Sequence, residues 1–350
     1  MIKRASHKQK APLYKRLLKT LAWIIGIAVL LVGIIYIAFQ VSPWPSALLL
    51  RDAFNKNNLN LNADLTKYVP NNVDSIPNLQ YKTGDKDAYL DTYFPNTVTT
   101  TNKALPTVVW VHGGGWISGD KSNVGQYAQI LANKGYTVIA VGYSIAPEKT
   151  YPTPVIQVNE ALSYINRNAK DLHVDPSNIV LAGDSAGSQI AAQVATIITS
   201  PDYAKLMNMT PGLQKSQLVG MLLNCGAYDL SIVNADGDSE DAKLLRTFLW
   251  SYSGRKDFMN DPDMLPASVI DHVTKDFPPT FITAGNKDPL ERQSRVMAQK
   301  LQSLGVTTDT LFYPEDYTPG LPHEYQFNLD NDAGKKALME MEAFLAIHAK

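Results

Sequence analysis

The feature that most constrains this chain is the pentapeptide Gly183-Asp184-Ser185-Ala186-Gly187, which lies between a predicted strand and a predicted helix. Residues 178–182 before it form a short apolar run typical of a buried strand, and residues 188–198 after it are rich in Ala, Gln and Ile and predict a helix. A Gly-x-Ser-x-Gly turn between a strand and a helix exposes its serine hydroxyl, which can then act as a nucleophile. An ordinary glycine-rich turn is the alternative, so the hypothesis depends on partners elsewhere in the chain.

Apolar strands alternate with amphipathic helices from about residue 76 to residue 350. This alternation is typical of an α/β fold with a mostly parallel central sheet and helices on both faces. An early strand is predicted at 89–94 and is expected to be antiparallel. Apolar runs predict further strands at 107–111, 137–141, 218–224, 280–284 and 308–313. Helices are predicted at 125–133, 154–168, 290–304 and 335–348. The alternation breaks at about 230–278, where an aromatic helix is predicted at 243–252, and an insertion of that length predicts a lid.

The N-terminal part of the chain has the charge pattern of a membrane anchor. Seven Lys and Arg residues lie within residues 1–20, and the first acidic residue is Asp52. Residues 21–39 are uncharged and mostly apolar, and as a helix they would span roughly 28 Å, close to the hydrocarbon thickness of a bilayer. We therefore expect a cytoplasmic tail at 1–20, a transmembrane helix at 21–39, linker or cap helices at 40–75, and an extracytoplasmic remainder.

A cleaved signal peptide, followed by secretion, is the alternative interpretation of the same segment. The apolar part of a signal peptide is usually about 7–15 residues long and ends in a small-x-small cleavage site. Here the apolar run is longer, and residues 36–42 contain no such site. An uncleaved anchor is therefore the preferred prediction.

Composition narrows the possible partners. The formal net charge of −1 gives no reason to expect a nucleic acid. The single cysteine, Cys225, lies in an apolar stretch and is predicted to be a buried thiol. Zinc-site spacings of Cys and His do not occur in the sequence. We expect neither a metal nor an organic cofactor, because hydrolysis by a serine nucleophile needs neither.

A serine nucleophile needs a base, and the base needs a third group that holds its tautomer. Of the six histidines, His323 is the candidate base, because it follows the last predicted strand and precedes the closing helix. Asp288 is the preferred acid, because it follows the strand at 280–284 on a loop that opens a helix; Asp229, which follows the strand at 218–224, is the alternative. Asp288 could instead simply cap its helix. The resulting chain order is Ser, Asp, His.

A second glycine-rich turn, His112-Gly113-Gly114-Gly115-Trp116, follows the predicted strand at 107–111. Backbone N–H groups of such a turn can bind the oxyanion of an acyl-transfer reaction. The predicted donors are the N–H groups of Gly113, Gly114 and Ala186. A phosphate-binding loop is the alternative, but neither Gly-Lys-Ser/Thr nor Gly-x-Gly-x-x-Gly follows the strand.

With these motifs the chain resembles the α/β-hydrolase esterases and lipases of the hormone-sensitive-lipase type and their carbohydrate-esterase-like relatives. The resemblance covers roughly residues 76–350 and is carried by residues 112–116, 183–187, 288–290 and His323. The stretch Tyr143-Ser144-Ile145-Ala146-Pro147-Glu148 also looks like the family's Tyr-Arg-Leu-Ala-Pro-Glu. The resemblance implies the α/β-hydrolase fold for the catalytic domain at 76–350.

The chain departs from the family in two places. Glu324-Tyr325 follows His323, whereas the family often has Gly-Phe at this place. The resemblance therefore does not predict which residues form the wall of the acyl pocket. Residues 118–121, Ser-Gly-Asp-Lys, look more like the carbohydrate- and formamide-cleaving relatives than like lipases.

The residues and the resemblance agree on a membrane-anchored serine carboxylesterase that hydrolyses short-chain acyl esters, with O-acetyl groups on glycans as a candidate substrate. An amidase or peptidase that uses the same triad is one alternative. A non-catalytic binding module on a hydrolase fold is the other. The expected partners are a small-molecule or glycan ester and the membrane.

Overall fold

A computed structural model describes residues 12–56, 65–101, 103–233, 237 and 239–350. Eight strands form one sheet: β1 (Val73–Gln80), β2 (Tyr89–Pro95), β3 (Leu105–Val111), β4 (Thr137–Val141), β5 (Val174–Asp184), β6 (Leu218–Asn224), β7 (Thr280–Thr283) and β8 (Thr308–Leu311). The α-helices within the described residues are α1 (Leu13–Val41), α2 (Trp44–Lys56), α3 (Thr97–Thr101), α4 (Gly125–Ala132), α5 (Thr153–Arg167), α6 (Ser185–Thr199), α7 (Pro201–Leu206), α8 (Glu240–Ser253), α9 (Glu291–Ser303) and α10 (Asp332–His348).

The strand order is β1-β2-β4-β3-β5-β6-β7-β8. Strand β2 pairs antiparallel with β1 and β4, and all other neighbours pair in parallel. This is the mostly parallel sheet that the alternating pattern predicts, and the early strand is antiparallel as expected. The strands predicted from 107–111 onward and the helices between them are confirmed, with ends that differ by a few residues.

Helices cover both faces of the sheet because its central strands are apolar on both sides. In β3, Val109 and Val111 belong to one core cluster, while Val108 and Trp110 belong to the other. The first cluster contains the buried sides of α5, α6 and α9, and the second contains those of α4 and α10.

Strand β1 was not predicted from the sequence. It lies at the edge of the sheet, and its residues are exposed or half-buried throughout. It also contains Pro77, which an edge strand tolerates because one side of its backbone has no strand partner. Because neither face of β1 is buried, its sequence has no alternation of apolar and polar residues from which a strand could be predicted. The strand begins at Val73, three residues before the predicted start of the catalytic domain.

The N-terminal helix is longer than predicted. Helix α1 covers the predicted span at 21–39 and extends it to Leu13–Val41, and none of its residues is buried. It is long and apolar enough to cross a membrane, as an anchor or as a signal sequence. Helix α2 follows within the predicted linker at 40–75. Residues 57–64 of that linker, and residues 1–11 of the predicted tail, lie outside the described part of the chain.

Parallel strands bring the loops at their carboxyl ends to one edge of the sheet. Residues 112–116 follow β3, Ser185 follows β5, Asp288 follows β7 and His323 follows β8. The order of the strands therefore gathers four segments that are far apart in the sequence.

Candidate active site

Ser185 is the first residue of α6, directly after β5. Its φ angle is +52°, in the left-handed region that residues other than glycine rarely adopt. Such a strained conformation at a strand-to-helix turn is typical of an exposed nucleophile. Ala186, the next residue, is in the first turn of α6, where backbone N–H groups have no partner within the helix.

Gly187 lets the helix lie directly against the neighbouring strand. A Cβ atom at this position would lie 2.1 Å from the carbonyl oxygen of Val111 and 2.3 Å from that of His112. Both contacts are with backbone atoms, so no side-chain rotation can relieve them. The glycine of the motif is therefore required for the nucleophile turn to meet the loop after β3.

His323 and Asp288 are in hydrogen-bond contact. His323 Nδ1 lies 2.9 Å from Asp288 Oδ2, and the Asp288 side chain is fully buried. Asp288 Oδ1 accepts a hydrogen bond from the backbone N–H of Leu290 at 2.7 Å, so the carboxylate also caps the turn before α9. One carboxylate oxygen of Asp288 therefore contacts the histidine, and the other caps the turn.

Asp229, the alternative acid, has a different role. Its Oδ1 accepts hydrogen bonds from the backbone N–H and the hydroxyl of Ser231, at 2.9 Å and 2.5 Å, and the hydroxyl of Ser268 lies 3.5 Å from it. Its carboxylate caps a short 3-10 turn that begins at Leu230. The structure thus places Asp288, and not Asp229, against the histidine.

The surroundings of His323 favour its protonated form. Burial lowers the pKa of His323, but the charge of Asp288, the nearby thiol of Cys225 and hydrogen bonds to both raise it, and the net pKa is well above its ordinary value. A base with a raised pKa is neutral, and able to accept a proton, only at a pH above that pKa.

Cys225 is buried, as the apolar stretch predicted, but it is also next to the candidate base. Burial raises the pKa of its thiol to about 11, so it is uncharged at neutral pH. Within the described residues, Cys225, Asp288 and His323 are also a group of metal-ligand types, with ligand atoms within 4.8 Å of one another. Two of the three already contact each other as a histidine–carboxylate pair.

The loop after β3 requires one correction to the predicted oxyanion donors. The N–H of Gly113 donates to Asp184 Oδ2 at 2.8 Å, so it is not available to a substrate. Gly114 has a φ angle of +113°, and a Cβ there would lie 2.2 Å from the carbonyl oxygen of Ser118. Gly114 and Ala186 remain from the predicted set, and Gly115 joins them along the cavity.

Asp184, the unspecified second residue of the nucleophile motif, ties the two glycine turns together. Besides the bond from Gly113, it accepts a hydrogen bond from Trp110 Nε1 at 2.7 Å. Burial raises the pKa of Asp184 well above its ordinary value, and the charge and hydrogen bond of Glu324 raise it further. Glu324 Oε1 also lies 3.8 Å from His323 Nε2.

His112, the first residue of the glycine-rich loop after β3, is held by Tyr143. Its ring stacks on Tyr143 at a centroid distance of 4.2 Å, and the Tyr143 hydroxyl donates to the His112 carbonyl oxygen at 2.6 Å. Burial lowers the pKa of His112 to about 4, which keeps the ring neutral. The resemblance placed Tyr143 in a family motif without a role, and this contact explains what it does.

Ser185 and His323 face one cavity of about 200 Å³. Its walls come from both glycine turns and from the segments predicted to cover the site, including Phe54 of α2 and Leu244, Leu245 and Phe248 of α8. The Phe54 and Phe248 rings lie 6.1 Å apart. The linker and the insertion, which the sequence predicts to cover the site, thus both contribute residues that line this cavity.

Two further contacts fix this roof. Trp116 stacks on Tyr252 of α8 with 4.8 Å between the ring centroids. Arg51 of α2 donates to both oxygens of Glu148 at 2.6 Å, and to the carbonyl oxygens of Ile117 and Ala146 at 2.7 Å. Helix α2 is therefore bound directly to the loops that carry the site.

Sequence analysis missed the parts of the site whose roles depend on partners distant in sequence. Phe54 lines the cavity and Asp184 links the turns, but neither has a local pattern that reveals its partner. The departure from the family at Glu324 was the one available signal for that residue, which does line the cavity.

Comparison with known proteins identifies the fold family of the chain. Residues 108–326 match a family described as alpha/beta hydrolase fold. An alpha/beta hydrolase of Acanthamoeba polyphaga mimivirus is 29% identical over 211 residues, 59% of this chain and 58% of that protein. Esterase LipQ of Mycobacterium tuberculosis is 27% identical over 236 residues, 66% of this chain and 53% of LipQ. The chain thus spans little more than half the length of these two relatives.

Two more similarities cover larger shares of the matched proteins. Carboxylesterase NlhH of Mycobacterium tuberculosis is 30% identical over 236 residues, 65% of this chain and 69% of NlhH. The crystal structure of esterase B from Lactobacillus Rhamnosis superposes with a TM-score of 0.72 at 22% identity, over 86% of this chain and 95% of that one. At this identity the superposition shows a shared fold.

Proposed function

The chain belongs to the alpha/beta hydrolase fold family, and from that premise we propose that it is a serine carboxylesterase. The observation that carries the proposal is one cavity lined by Ser185, His323 and residues of both glycine turns, with Asp288 Oδ2 2.9 Å from His323 Nδ1. The names of the relatives, esterase LipQ and carboxylesterase NlhH, support the same activity.

In the proposed mechanism the Ser185 hydroxyl attacks the ester carbonyl, and His323 Nε2 accepts its proton. Asp288 accepts the Nδ1–H of His323 and stabilises the imidazolium. His323 then returns the proton to the leaving alcohol. Water, deprotonated by the same imidazole, hydrolyses the acyl-enzyme and releases the acid.

The N–H groups of Gly114, Gly115 and Ala186 are the proposed oxyanion donors. All three residues line the cavity beside Ser185. Ala186 adds the favourable dipole at the N-terminus of α6, which concentrates partial positive charge where the oxyanion forms. Gly113 instead serves the site by holding Asp184.

We propose that the acyl group of the ester substrate is short. The cavity of about 200 Å³ is only slightly larger than the roughly 150 Å³ space that holds one benzene molecule. Helix α1 supports a membrane-anchored enzyme with residues 1–20 in the cytoplasm and the catalytic domain outside, where O-acetyl groups on glycans are candidate substrates. The mass of the protein extracted from membranes separates an uncleaved anchor from a cleaved signal peptide.

The activity is tested with the full chain and p-nitrophenyl acetate. We expect Ser185→Ala to lower kcat by about 10⁶, as in serine protease triads. A fluorophosphonate probe should label the unchanged chain at Ser185. Near-normal turnover by Ser185→Ala would refute the mechanism, and a chain that neither turns over esters nor reacts with the probe would be a binding module.

Two substrate panels refine the proposal. Matched esters and amides of the same acid would distinguish an esterase from an amidase or peptidase with the same triad. Acetylated sugars test the glycan substrate. Release of acetate from p-nitrophenyl acetate, without release from acetylated sugars, would exclude glycans as the substrate. The proposed esterase activity would still stand.

A further inference from the structure

The catalytic cavity lies close to the end of the N-terminal apolar helix. Only Ser42 and Pro43 separate α1 from α2, whose residue Phe54 lines the cavity. From Trp44 to Phe54 the helix rises by about 15 Å. The ammonium group of Lys256, just after α8, donates to the carbonyl oxygen of Gln40 at 2.8 Å, so the end of α1 also contacts the insertion.

Helix α2 has two different faces. Ala47 is fully buried, Leu50 and Phe54 pack against the core, and Arg51 binds the loops of the site. On the outer side, Trp44, Leu48 and Leu49 are 43%, 44% and 61% exposed. Exposed apolar side chains in the first two turns after a membrane-type helix suit the boundary between lipid and water, where tryptophan is enriched.

A groove of about 290 Å³ lies between α2 and α8 and reaches the end of α1. Its apolar walls include Phe39 at the α1 end and Leu49 and Leu50 of α2, and Thr247 of α8 faces them. Leu244 lines both this groove and the catalytic cavity. A single leucine side chain therefore belongs to both spaces, one at the membrane end and one at the nucleophile.

We propose that this groove is the route by which an ester embedded in the bilayer reaches Ser185. Its occupant is the hydrocarbon part of an amphipathic molecule in the same membrane that α1 spans. The small catalytic cavity takes the short acyl group, and the groove takes the apolar alcohol part. The substrate class is thus a short-chain acyl ester of a membrane-embedded alcohol. This inference rests on the proposed esterase activity and membrane anchor.

The groove suits such an occupant because of the polarity of its walls. Four of its lining residues are apolar, while Glu240 and Lys243, which also line it, form an exposed ion pair with 2.9 Å between Oε1 and Nζ. A molecule with an apolar chain and a polar head could place each part against matching surface. A water-soluble ester has no need of this surface and would enter the cavity without it.

The test uses the full chain reconstituted in phosphatidylcholine vesicles and two acetyl esters. One is water-soluble p-nitrophenyl acetate, and the other is hexadecyl acetate incorporated into the vesicles. Leu49→Glu places a charge in the groove. We expect it to lower the ratio of the hexadecyl acetate rate to the p-nitrophenyl acetate rate about tenfold, which corresponds to losing contact with about two methylene groups.

The matched control is Met339→Glu on α10, because Met339 is 58% exposed, nearly the same as Leu49. It should leave the ratio unchanged. Thr247→Trp is a second variant that narrows the groove by bulk and should lower the ratio as Leu49→Glu does. A ratio unaffected in both groove variants would overturn the access route while leaving the esterase intact. Failure of the unchanged chain to cleave either ester would overturn the proposed activity itself.

Discussion

Asp288→Asn tests the part of the site that the sequence left open between two carboxylates. Asparagine has nearly the shape of aspartate, so the fully buried side chain should keep its packing. The backbone N–H of Leu290 donates to Oδ1 at 2.7 Å, and this bond holds the amide oxygen of the variant on that side. The amide NH₂ group then faces His323 Nδ1, which must become an acceptor.

The magnitude follows from the tautomer that this arrangement imposes. With Nδ1 as an acceptor, the neutral ring carries its proton on Nε2 and cannot accept the proton of Ser185. The same change in a serine protease lowers kcat by about 10⁴, which is about 5.4 kcal/mol of transition-state stabilisation. We expect a comparable loss of p-nitrophenyl acetate turnover, with little change in melting temperature.

The assay also has a pH signature. In the unchanged chain Asp288 helps raise the pKa of His323, so kcat/KM should fall as the pH drops through that raised pKa. Removing the charge of Asp288 lowers the pKa of the histidine. The acid limb of the kcat/KM profile of Asp288→Asn should therefore lie at a lower pH than that of the unchanged chain. The plateau value of kcat/KM should also be much lower.

Asp229→Asn is the matched control, because Asp229 is the rival carboxylate and caps a turn. Asparagine caps about as well as aspartate, so the free energy of unfolding should change by only roughly a few tenths of a kcal/mol. We expect turnover within a fewfold of that of the unchanged chain. If Asp229→Asn caused the large loss and Asp288→Asn did not, the reasoning from the 2.9 Å contact would be refuted.

Three further changes test the structure around the site. Phe54→Ala should enlarge the cavity and shift the preferred p-nitrophenyl ester from acetate toward longer acyl chains; an unchanged preference would show that α2 does not limit the acyl group. Gly187→Ala should prevent folding or lower the melting temperature sharply, because its Cβ would lie 2.1 Å from the Val111 carbonyl oxygen, and a normal melting curve would contradict that packing. Lys121 Nζ lies 2.9 Å from the buried carboxylate of Asp91, and Lys121→Met would leave that carboxylate without its cation. The free energy of unfolding in urea should fall by about 3–5 kcal/mol. A loss below about 1 kcal/mol would mean that water solvates the Asp91 carboxylate in place of the lysine.

Much of the fold is readable from local patterns because each central element is buried in a regular way. Strands β3 and β4 are continuous apolar runs, since helices cover them on both faces. Strand β1 escaped prediction for the opposite reason, because it is an exposed edge with no apolar period. The insertion at 230–278 is visible in the sequence as a break in the alternation, and its helix α8 lines the cavity.

The candidate site was predicted in part. Ser185, Asp288 and His323 were identified because strand-to-loop positions meet at one edge of a parallel sheet. The contact between Nδ1 and Oδ2 then distinguishes Asp288 from Asp229. The donor set could not be read from the motif, because the glycine turn does not reveal that Asp184 takes the N–H of Gly113.

The sequence by itself determined most of the strands and helices along the chain, the Gly-x-Ser-x-Gly turn and an apolar N-terminal helix, because these depend on neighbours within a few residues. The tertiary structure decided which carboxylate meets His323, which N–H groups remain free, and that Phe54 and Leu244 enclose the cavity from segments almost 200 residues apart. These choices depend on distances between loops that only strand pairing brings together. Hydrogen-bond geometry and close packing act over a few ångströms, and no local pattern encodes them.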